Sequence, residues 1–528
     1  MSQKSLLSAV FLLVPGLLMA QAIPDSQLQN RWFSDGRQHV INRLQSHAQQ
    51  LPEGLAKNVI LFVGDGMGVT TLTASRILGG QLEGISGEQA SLSFERFPYS
   101  AFVKTYNVDA QIPDSAGTMT AMMSGIKTNA GVVGVNSNVL MGNCLQQPGN
   151  ELISALELAE IKGLATGLVT NTRVTHATPA AAYAKSASRA WEDVSDQPAD
   201  VIEQGCEDIA AQLVSHEKNL ETFFPNADID GINVVFGGGR SQFLPDASAE
   251  DLTGTYGQTT GDRTDGRNLI SEWQQNYPTG RYLFDAAALD SLDTETSSNV
   301  MGLFSASHMR YEADRQANAP QEPSLSRMVG KAIELLDNDP DGFLLVVEAG
   351  RVDQAHHAGN AHGALNETLE LSRAVQVAFD GTNAQDTLIL VTADHSHVMT
   401  FAGHPARGNP ILGKVISQGG VSPALALDGL PYTTLGYANG PGFRDYGNNT
   451  NPDRTYSDGV VAGRQDLNSV DTQAPGFHQE ALVPLAAESH GGEDVSLHAS
   501  GPGAYRVQGT MEQNRIFHII NEALELTQ

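Results

Sequence analysis

The segment NVILFVGDGMG, residues 58–68, contains the first of five short apolar runs that are rich in β-branched residues. Its first six residues predict a strand that is buried on both faces. The other four runs are TGLVT (166–170), INVVF (232–236), FLLVV (343–347) and TLILVT (387–392). Helical patterns alternate with these runs at 69–78, 151–162, 209–216, 325–336 and 366–379. This alternation predicts a three-layer α/β/α sandwich around a large, mostly parallel sheet.

Acidic residues stand where three of the predicted strands end. Asp65 follows the first strand, Glu348 ends the fourth, and Asp394 with His395 follows the fifth. Ligands of open parallel sheets bind beyond the carboxyl ends of the strands. Three carboxylates at one edge repel one another unless cations neutralise them, so the pattern predicts a metal cluster.

Histidines add nitrogen ligands near the same edge. In VVEAGRVDQAHH, Asp353 and His357 have the i,i+4 spacing that places both side chains on one side of a helical turn, where they can share a zinc ion. Such a pair also arises by chance. VTADHSHV adds His395 and His397, and ESHGGEDV adds His490. The joint occurrence of these motifs is much more specific than any one of them.

A candidate nucleophile precedes a helical run in PDSAGTMTAMMSG. Ser115 stands where backbone N–H groups and the helix dipole favour negative charge, such as an alkoxide or a phosphate. A serine in this position is also an ordinary helix cap. The sequence around it therefore has to decide between the two interpretations.

Length and charge limit the class of protein. The chain has 528 residues, and no linker-like run divides it, which favours one large catalytic domain over 23–528. Two regions, 242–297 and 401–487, have the composition of insertions, and we expect the second to form a small accessory region beside the site. A formal net charge of −29 argues against nucleic-acid binding.

The first 22 residues have the order of a secretory signal. Lys4 precedes an apolar stretch over 6–18 and the small-residue pattern Ala20-Gln21-Ala22, so we expect cleavage after Ala20 or Ala22 and a periplasmic or secreted protein. The alternative is a membrane anchor, but the stretch is shorter than the roughly 20 residues of a span. The C-terminal IFHIINEALELTQ resembles an amphipathic helix and not a lipid-anchor signal.

The chain contains two cysteines, Cys144 and Cys206. In an exported protein a lone pair of cysteines usually forms a disulfide, and two buried thiols are the alternative.

Seven motifs together resemble the alkaline phosphatase family, and most closely its vertebrate branch. They run in order from residue 57 towards the C-terminus: NVILFVGDGMG, KTYNVDAQIPDSAGT, TNTRVTHATPAAAYA, FGGGR, VVEAGRVDQAHH, VTADHSHV and ESHGGEDV. The resemblance implies an enzyme that hydrolyses phosphate monoesters through a phosphoserine, forms a homodimer and uses two zinc ions and one magnesium ion. The disulfide of the vertebrate branch matches the positions of Cys144 and Cys206.

The resemblance also implies which residues bind the metals. One zinc would be held by Asp353, His357 and His490. The second zinc and the magnesium would share Asp65, with Asp394, His395 and Ser115 on the zinc and Thr178 and Glu348 on the magnesium.

Other residues gain supporting roles from the same resemblance. Ser115 would be the nucleophile, Arg189 would bind the phosphate, and Asp114 would steady Arg189 or the surroundings of the nucleophile. His397 would orient a zinc ligand, and His176 would lie beside the magnesium site.

The chain departs from the family at two positions. Gln354 stands where vertebrate relatives have histidine and enterobacterial relatives have lysine, so a cation near the phosphate is lost. Phe304 of the vertebrate calcium site is kept, but Ser305 replaces a carboxylate, which makes calcium binding doubtful. A phosphodiesterase of the same superfamily and a noncatalytic exported binder of phosphate or metal remain as alternatives.

Overall fold

The structure, a computed structural model, describes residues 54–227, 229–246 and 260–527. The predicted signal peptide, 1–22, lies outside these residues. The strands are β1 (Asn58–Gly64), β2 (Tyr99–Lys104), β3 (Ala165–Arg173), β4 (Val234–Gly238), β5 (Arg281–Leu283), β6 (Val300–Leu303), β7 (Phe343–Ala349), β8 (Thr387–Ala393), β9 (Ser396–His397), β10 (Met399–Phe401), β11 (Leu435–Gly440), β12 (Arg444–Asp445), β13 (Phe477–His478), β14 (Ala481–Pro484), β15 (His490–Gly491), β16 (Val495–Ser500) and β17 (Gly509–Glu512).

The described residues contain fourteen α-helices, and six of them pack in two groups. They are α1 (Val69–Leu82), α2 (Ser115–Ser124), α3 (Ala155–Lys162), α4 (Ala177–Ala180), α5 (Ala199–Glu203), α6 (Ile209–Val214), α7 (His216–Phe223), α8 (Leu269–Asn276), α9 (Ala286–Asp290), α10 (Glu312–Asn318), α11 (Leu325–Leu336), α12 (Arg351–His357), α13 (Ala361–Gly381) and α14 (Arg515–Leu524). Short 3₁₀ turns lie at Ser93–Arg96, Cys144–Gln146, Val194–Asp196, Arg240–Phe243, Pro452–Ser457 and Ala504–Arg506. Helices α1, α11 and α13 pack together as one group, and α2, α3 and α14 pack together as the other.

The described residues form one large sheet of ten strands, in the order β17-β2-β16-β8-β1-β7-β3-β4-β6-β5. All neighbouring pairs are parallel except those of β16, which runs antiparallel to β8 and β2. Every residue of β1, β7 and β8 is buried, as their continuous apolar runs predict for strands covered on both faces. The predicted sandwich fold is confirmed.

The strand register brings the predicted acidic residues to one edge. In the β1–β7 pair Val63 faces Glu348, and in the β1–β8 pair Gly64 faces Ala393. Asp65 and Asp394 are the residues that follow these positions. The three carboxylates therefore leave neighbouring strands at the same level.

Helix boundaries differ from the predicted ones where side chains cap the helix ends. The helix predicted from 151 begins at Ala155, because the Ser154 hydroxyl accepts the N–H of Glu157. The helix predicted from 366 begins at Ala361, where Asn360 is the cap. The segment predicted as one helix over 209–216 ends at Val214, because Ser215 leaves the helical conformation before α7 begins.

The two regions with insertion-like composition hold different structures. The region 242–297 contains β5, the strand at one end of the large sheet, which pairs with β6 just after the region. The segment 401–487 contributes to a three-stranded sheet of β10, β11 and β14 and contains the β12–β13 pair.

A disulfide joins Cys144 to Cys206, which confirms the predicted bridge. Both cysteines lie beside a small apolar cluster that is separate from the main core. In the described ranges, no helix combines the length and the apolar character that crossing a membrane requires.

Candidate metal centre

Ser115 is the first residue of α2 and is almost completely buried. Its hydroxyl oxygen lies 3.2 Å from Nε2 of His395 and donates to Oδ1 of Asp65 over 3.5 Å. The residue before it, Asp114, takes the capping position and accepts the N–H of Gly117 at 3.1 Å. Because Asp114 caps the helix, the Ser115 hydroxyl is free to face the carboxylate edge of the sheet.

Asp65, Asp394 and His395 form the first group of candidate ligands. All three are fully buried, and Nε2 of His395 lies 3.4 Å from Asp65 Oδ1 and 3.3 Å from Asp394 Oδ2. Burial, and then the negative charge of Asp394, raises the pKa of Asp65 well above its ordinary value. Burial likewise raises the pKa of Asp394. These shifts reflect carboxylates packed without a counter-charge, which is the arrangement that a bound cation relieves.

Asp353, His357 and His490 form the second group. Oδ1 of Asp353 lies 3.3 Å from Nε2 of His357 and 3.4 Å from Nε2 of His490. The two Nε2 atoms are 3.2 Å apart. The Nδ1 atom of His357 faces the carbonyl of Glu488, and that of His490 faces the carbonyl of Pro113 at 2.8 Å. Since each Nδ1–H donates to a carbonyl, each Nε2 keeps a free lone pair directed at a common point.

Glu348, Thr178 and Asp65 form a third group, which is rich in oxygen. Thr178 donates its hydroxyl to Oδ2 of Asp65 at 3.4 Å. One oxygen of Glu348 accepts hydrogen bonds from Thr170 and Thr172, while the other, Oε1, is buried without a hydrogen-bond partner among the described residues. Burial raises the pKa of Glu348 to about 7. An orphaned carboxylate oxygen in this position fits a hard cation such as magnesium.

Arg189 lies next to Asp114, the residue that precedes Ser115. Its Nη1 donates to Oδ2 of Asp114 at 3.2 Å, and its Nη2 lies 3.3 Å from Nε2 of His176. Burial, followed by the charges of Arg189 and Arg173, lowers the pKa of His176 to about 3. His176 is therefore neutral and accepts a hydrogen bond from Arg189.

His397 contacts Asp353, and Gln354 follows Asp353 on α12. His397 Nε2 lies 2.6 Å from Oδ1 of Asp353. The Gln354 side chain accepts a hydrogen bond from Arg351 and places Nε2 3.0 Å from Nε2 of His308.

Two residues near the centre have no place in the sequence prediction. The carboxylate of Glu488 contacts Nδ1 of His397 and accepts the N–H of Val398 at 2.7 Å. Burial lowers the pKa of His397, but the charges of Glu488 and Asp353 outweigh burial and raise it to about 10. Glu488 is the first residue of the motif ESHGGEDV, so the sequence contained a signal that could have identified it. His308, whose ring meets the edge of His176 at 5.4 Å between centroids, lies in no motif.

Comparisons with known proteins agree with this arrangement. A family model described as alkaline phosphatase matches residues 56–526. The tissue-nonspecific alkaline phosphatase of Gallus gallus is 42% identical over 510 residues, covering 96% of this chain and 91% of that protein. An alkaline phosphatase of Gadus morhua is 40% identical over 497 residues, covering 94% and 97%.

Solved structures show the same fold at lower identity. The alkaline phosphatase of Thermus thermophilus is 22% identical, with a TM-score of 0.61 and coverage of 91% of this chain and 93% of that one. The enzyme of the Antarctic bacterium TAB5 is 19% identical, with a TM-score of 0.57 and coverage of 90% and 100%.

The fold and the buried groups of His, Asp and Glu define a metal-binding hydrolase, and the chain belongs to the alkaline phosphatase family. It has alkaline phosphatase activity and is a phosphoric monoester hydrolase. The predicted family and its vertebrate-like motifs are confirmed.

Proposed function

We propose that the enzyme hydrolyses phosphate monoesters in two displacements through a phosphoserine at Ser115, with two zinc ions and one magnesium ion as cofactors. One observation carries the proposal. The Ser115 hydroxyl lies within 3.5 Å of both His395 and Asp65, at the point where the buried carboxylates meet. A serine that served only to cap a helix would not need to contact these buried carboxylates and imidazole.

The chemistry of the donor groups supports these metals. Asp353, His357 and His490 offer the mixed nitrogen and carboxylate donors that zinc prefers. Asp65, Asp394 and His395, together with Ser115, offer the same kind of donors. Glu348, Thr178 and Asp65 offer oxygen alone, which suits magnesium. When bound, the cations supply positive charge that favours the ionised Ser115 hydroxyl and stabilises the charge on the leaving group.

The residues of the chain carry out the following steps. The Ser115 oxygen forms a bond to phosphorus as the bond to the leaving alkoxide breaks. Water then attacks the phosphoserine, releasing phosphate and restoring Ser115. Two inversions give net retention at phosphorus. Arg189 holds two phosphoryl oxygens with its planar guanidinium, and Asp114 keeps the guanidinium in place.

Supporting roles follow from contacts around the ligands. His397 orients Asp353, because its ring nitrogen hydrogen-bonds to that carboxylate. His176 supports Arg189 beside the oxygen-rich group. The segment 401–487 is proposed as an accessory region next to the centre, because its Asp453 accepts a hydrogen bond from Arg351 at 3.0 Å. The segment 242–297 is proposed as the second insertion of the single catalytic domain over 23–528.

The surroundings of the enzyme are also proposed. The Cys144–Cys206 disulfide is typical of proteins that fold outside the cytosol, which supports export to the periplasm or the medium after cleavage of 1–22. Family membership supports a homodimer. We propose no calcium requirement, because Ser305 offers no carboxylate.

The test combines elemental analysis of the purified enzyme with hydrolysis of a phosphate monoester and a diester. We expect two zinc ions and one magnesium ion per chain and a strong preference for the monoester. Chelation should abolish activity, and zinc with magnesium should restore it, whereas calcium should not. Full activity in zinc-depleted protein, or a preference for the diester, contradicts the proposal.

A further inference from the structure

We propose that Asn171 is a positioning residue for the helix that carries Asp353 and His357, and that it acts by capping this helix from a neighbouring strand. The inference rests on the proposed function only in that these two residues hold a zinc ion. Asn171 lies on β3, and its side chain hydrogen-bonds to Gly350, Arg351 and Glu367 rather than to either of them.

Helix α12 cannot cap itself. The first N–H groups of a helix lack partners within it, and a side chain at the capping position normally supplies one. Here the capping position is Gly350, which has no side chain. A Cβ atom at Gly350 would lie 2.2 Å from Cγ2 of Thr172 and 2.7 Å from Oε1 of Glu348. The close approach of Thr172, and then of Glu348, therefore leaves no room for a capping side chain at this position.

Asn171 supplies the missing acceptor. Its Oδ1 accepts the N–H of Gly350 at 2.8 Å and the N–H of Arg351 at 3.2 Å. Its Nδ2 donates to Oε2 of Glu367 at 2.9 Å, and Glu367 lies on α13. The other oxygen of Glu367 accepts the N–H of Glu312. The two backbone N–H groups can only donate, so they fix the amide oxygen of Asn171 towards α12.

The same strand supports a second candidate metal site from its other face. Adjacent residues of a strand point to opposite sides. Thr170 and Thr172, on either side of Asn171, donate their hydroxyls to Glu348, whereas Asn171 faces the start of α12. Thr170 and Thr172 therefore support Glu348, whereas Asn171 between them supports α12. Substitutions at these positions can distinguish the effect on the magnesium site from the effect on the zinc site.

Asn58 provides a matched control. It is as buried as Asn171, and its amide also bridges two elements: Oδ1 accepts the N–H of Phe343 at 3.2 Å, and Nδ2 donates to the Thr387 hydroxyl at 3.2 Å. It stands at the amino end of β1, away from the ligands. Asn58→Ala and Asn171→Ala thus remove comparable hydrogen bonds, but only Asn171→Ala removes the acceptor at the start of α12.

The experiment measures zinc transfer from the fully loaded enzyme to a chromophoric chelator, which does not depend on activity. We expect Asn171→Ala to release one of the two zinc ions at least about tenfold more readily than the parent, the effect typical of losing a partner that orients a ligand. Asn58→Ala should release both as the parent does. Thr172→Val should weaken magnesium binding and leave zinc release within about twofold of the parent.

A double variant tests the hydrogen bonds directly. At pH 9, above the pKa of about 8 to which burial raises Glu367, Asn171→Asp with Glu367→Gln keeps an acceptor for Gly350 and Arg351 and a hydrogen bond between residues 171 and 367, and it leaves the net charge unchanged. It should restore zinc retention to within about twofold of the parent, whereas Asn171→Asp alone should not. This comparison remains decisive even where Asn171→Ala fails to fold.

The outcomes separate the inference from the proposed function. Asp353→Ala should lose one zinc ion outright. If it keeps both, the proposed ligand set is wrong. If Asp353→Ala loses one zinc ion but Asn171→Ala releases zinc as slowly as the parent, the capping role of Asn171 is overturned. The same conclusion follows if the double variant releases zinc as fast as Asn171→Ala.

Discussion

The Ser115 hydroxyl lies 3.2 Å from Nε2 of His395, although 280 residues separate the two along the chain. The contact forms because α2 begins at Ser115 and points its first residue at the edge where β8 ends. Both residues are almost completely buried. A buried hydroxyl beside a buried imidazole and two buried carboxylates is an arrangement that bound cations stabilise.

Arg189 provides the first prediction. Arg189→Ala should raise KM for a monoester and the inhibition constant for phosphate by about tenfold or more, because a charge-assisted hydrogen bond is worth roughly 1.5–3 kcal/mol. Competitive inhibition by phosphate measures the effect. The control is Arg76→Ala, which removes an arginine paired with Glu95 elsewhere in the structure. Equal phosphate affinity in the Arg189 variant and the parent excludes a direct contact with phosphate.

The second prediction concerns Gln354, the neighbour of Asp353. Gln354→Lys should lower the inhibition constant for phosphate about fivefold and also lower kcat at alkaline pH. A lysine adds a positive charge near a nearly dianionic product, and even a screened cation contributes on the order of 1 kcal/mol. Tighter product binding slows a cycle that is limited by release.

Gln354→Met is the matched control, because it keeps the length of the side chain and adds no charge. Both variants lose the acceptor for Arg351 and the contact with His308. If the lysine and methionine variants bind phosphate equally well, the charge at position 354 has no effect on the phosphate.

The third prediction concerns stability and Glu160. Burial raises the pKa of Glu160 from 4.5 to about 8. The protonated carboxyl therefore contributes stability that is fully present below pH 4.5 and is lost as the pH rises through 8, at about 1.4 kcal/mol per unit of pKa shift. Glu160→Gln keeps an oxygen for the Thr166 hydroxyl and cannot ionise.

Thermal unfolding at fixed metal concentration tests this account. Glu160→Gln should raise the unfolding midpoint at pH 9 and leave it nearly unchanged at pH 5. The exposed Glu83→Gln should change neither value. A Glu160→Gln midpoint that is equally shifted at both pH values means that ionisation of Glu160 does not affect stability.

Strands and ligand motifs could be predicted from the sequence because their signals are local. NVILFV and TLILVT carry the composition of buried strands, and the register of parallel strands then places Asp65 and Asp394 together. Asp353 and His357 needed only the geometry of one helical turn.

The contacts that support the ligands could not be predicted. His308 reaches Gln354 across 46 residues, and Asn171 reaches Gly350 across 179. Both contacts depend on how loops and helix ends pack, and the periodicity of the sequence carries no information about that packing. Ser215, where the helix predicted over 209–216 is interrupted, shows the same limit, since the break depends on the backbone conformation of a single residue.

The central claim is that Ser115 is the nucleophile, and trapping the intermediate tests it most directly. A monoester with labelled phosphate is mixed with the metal-loaded enzyme and quenched at low pH, and the labelled peptide is mapped by mass spectrometry. We predict that the label lies on Ser115, and that Ser115→Ala forms no labelled protein and loses turnover by orders of magnitude while keeping its fold. Label on any other residue, or normal turnover in Ser115→Ala, contradicts the account.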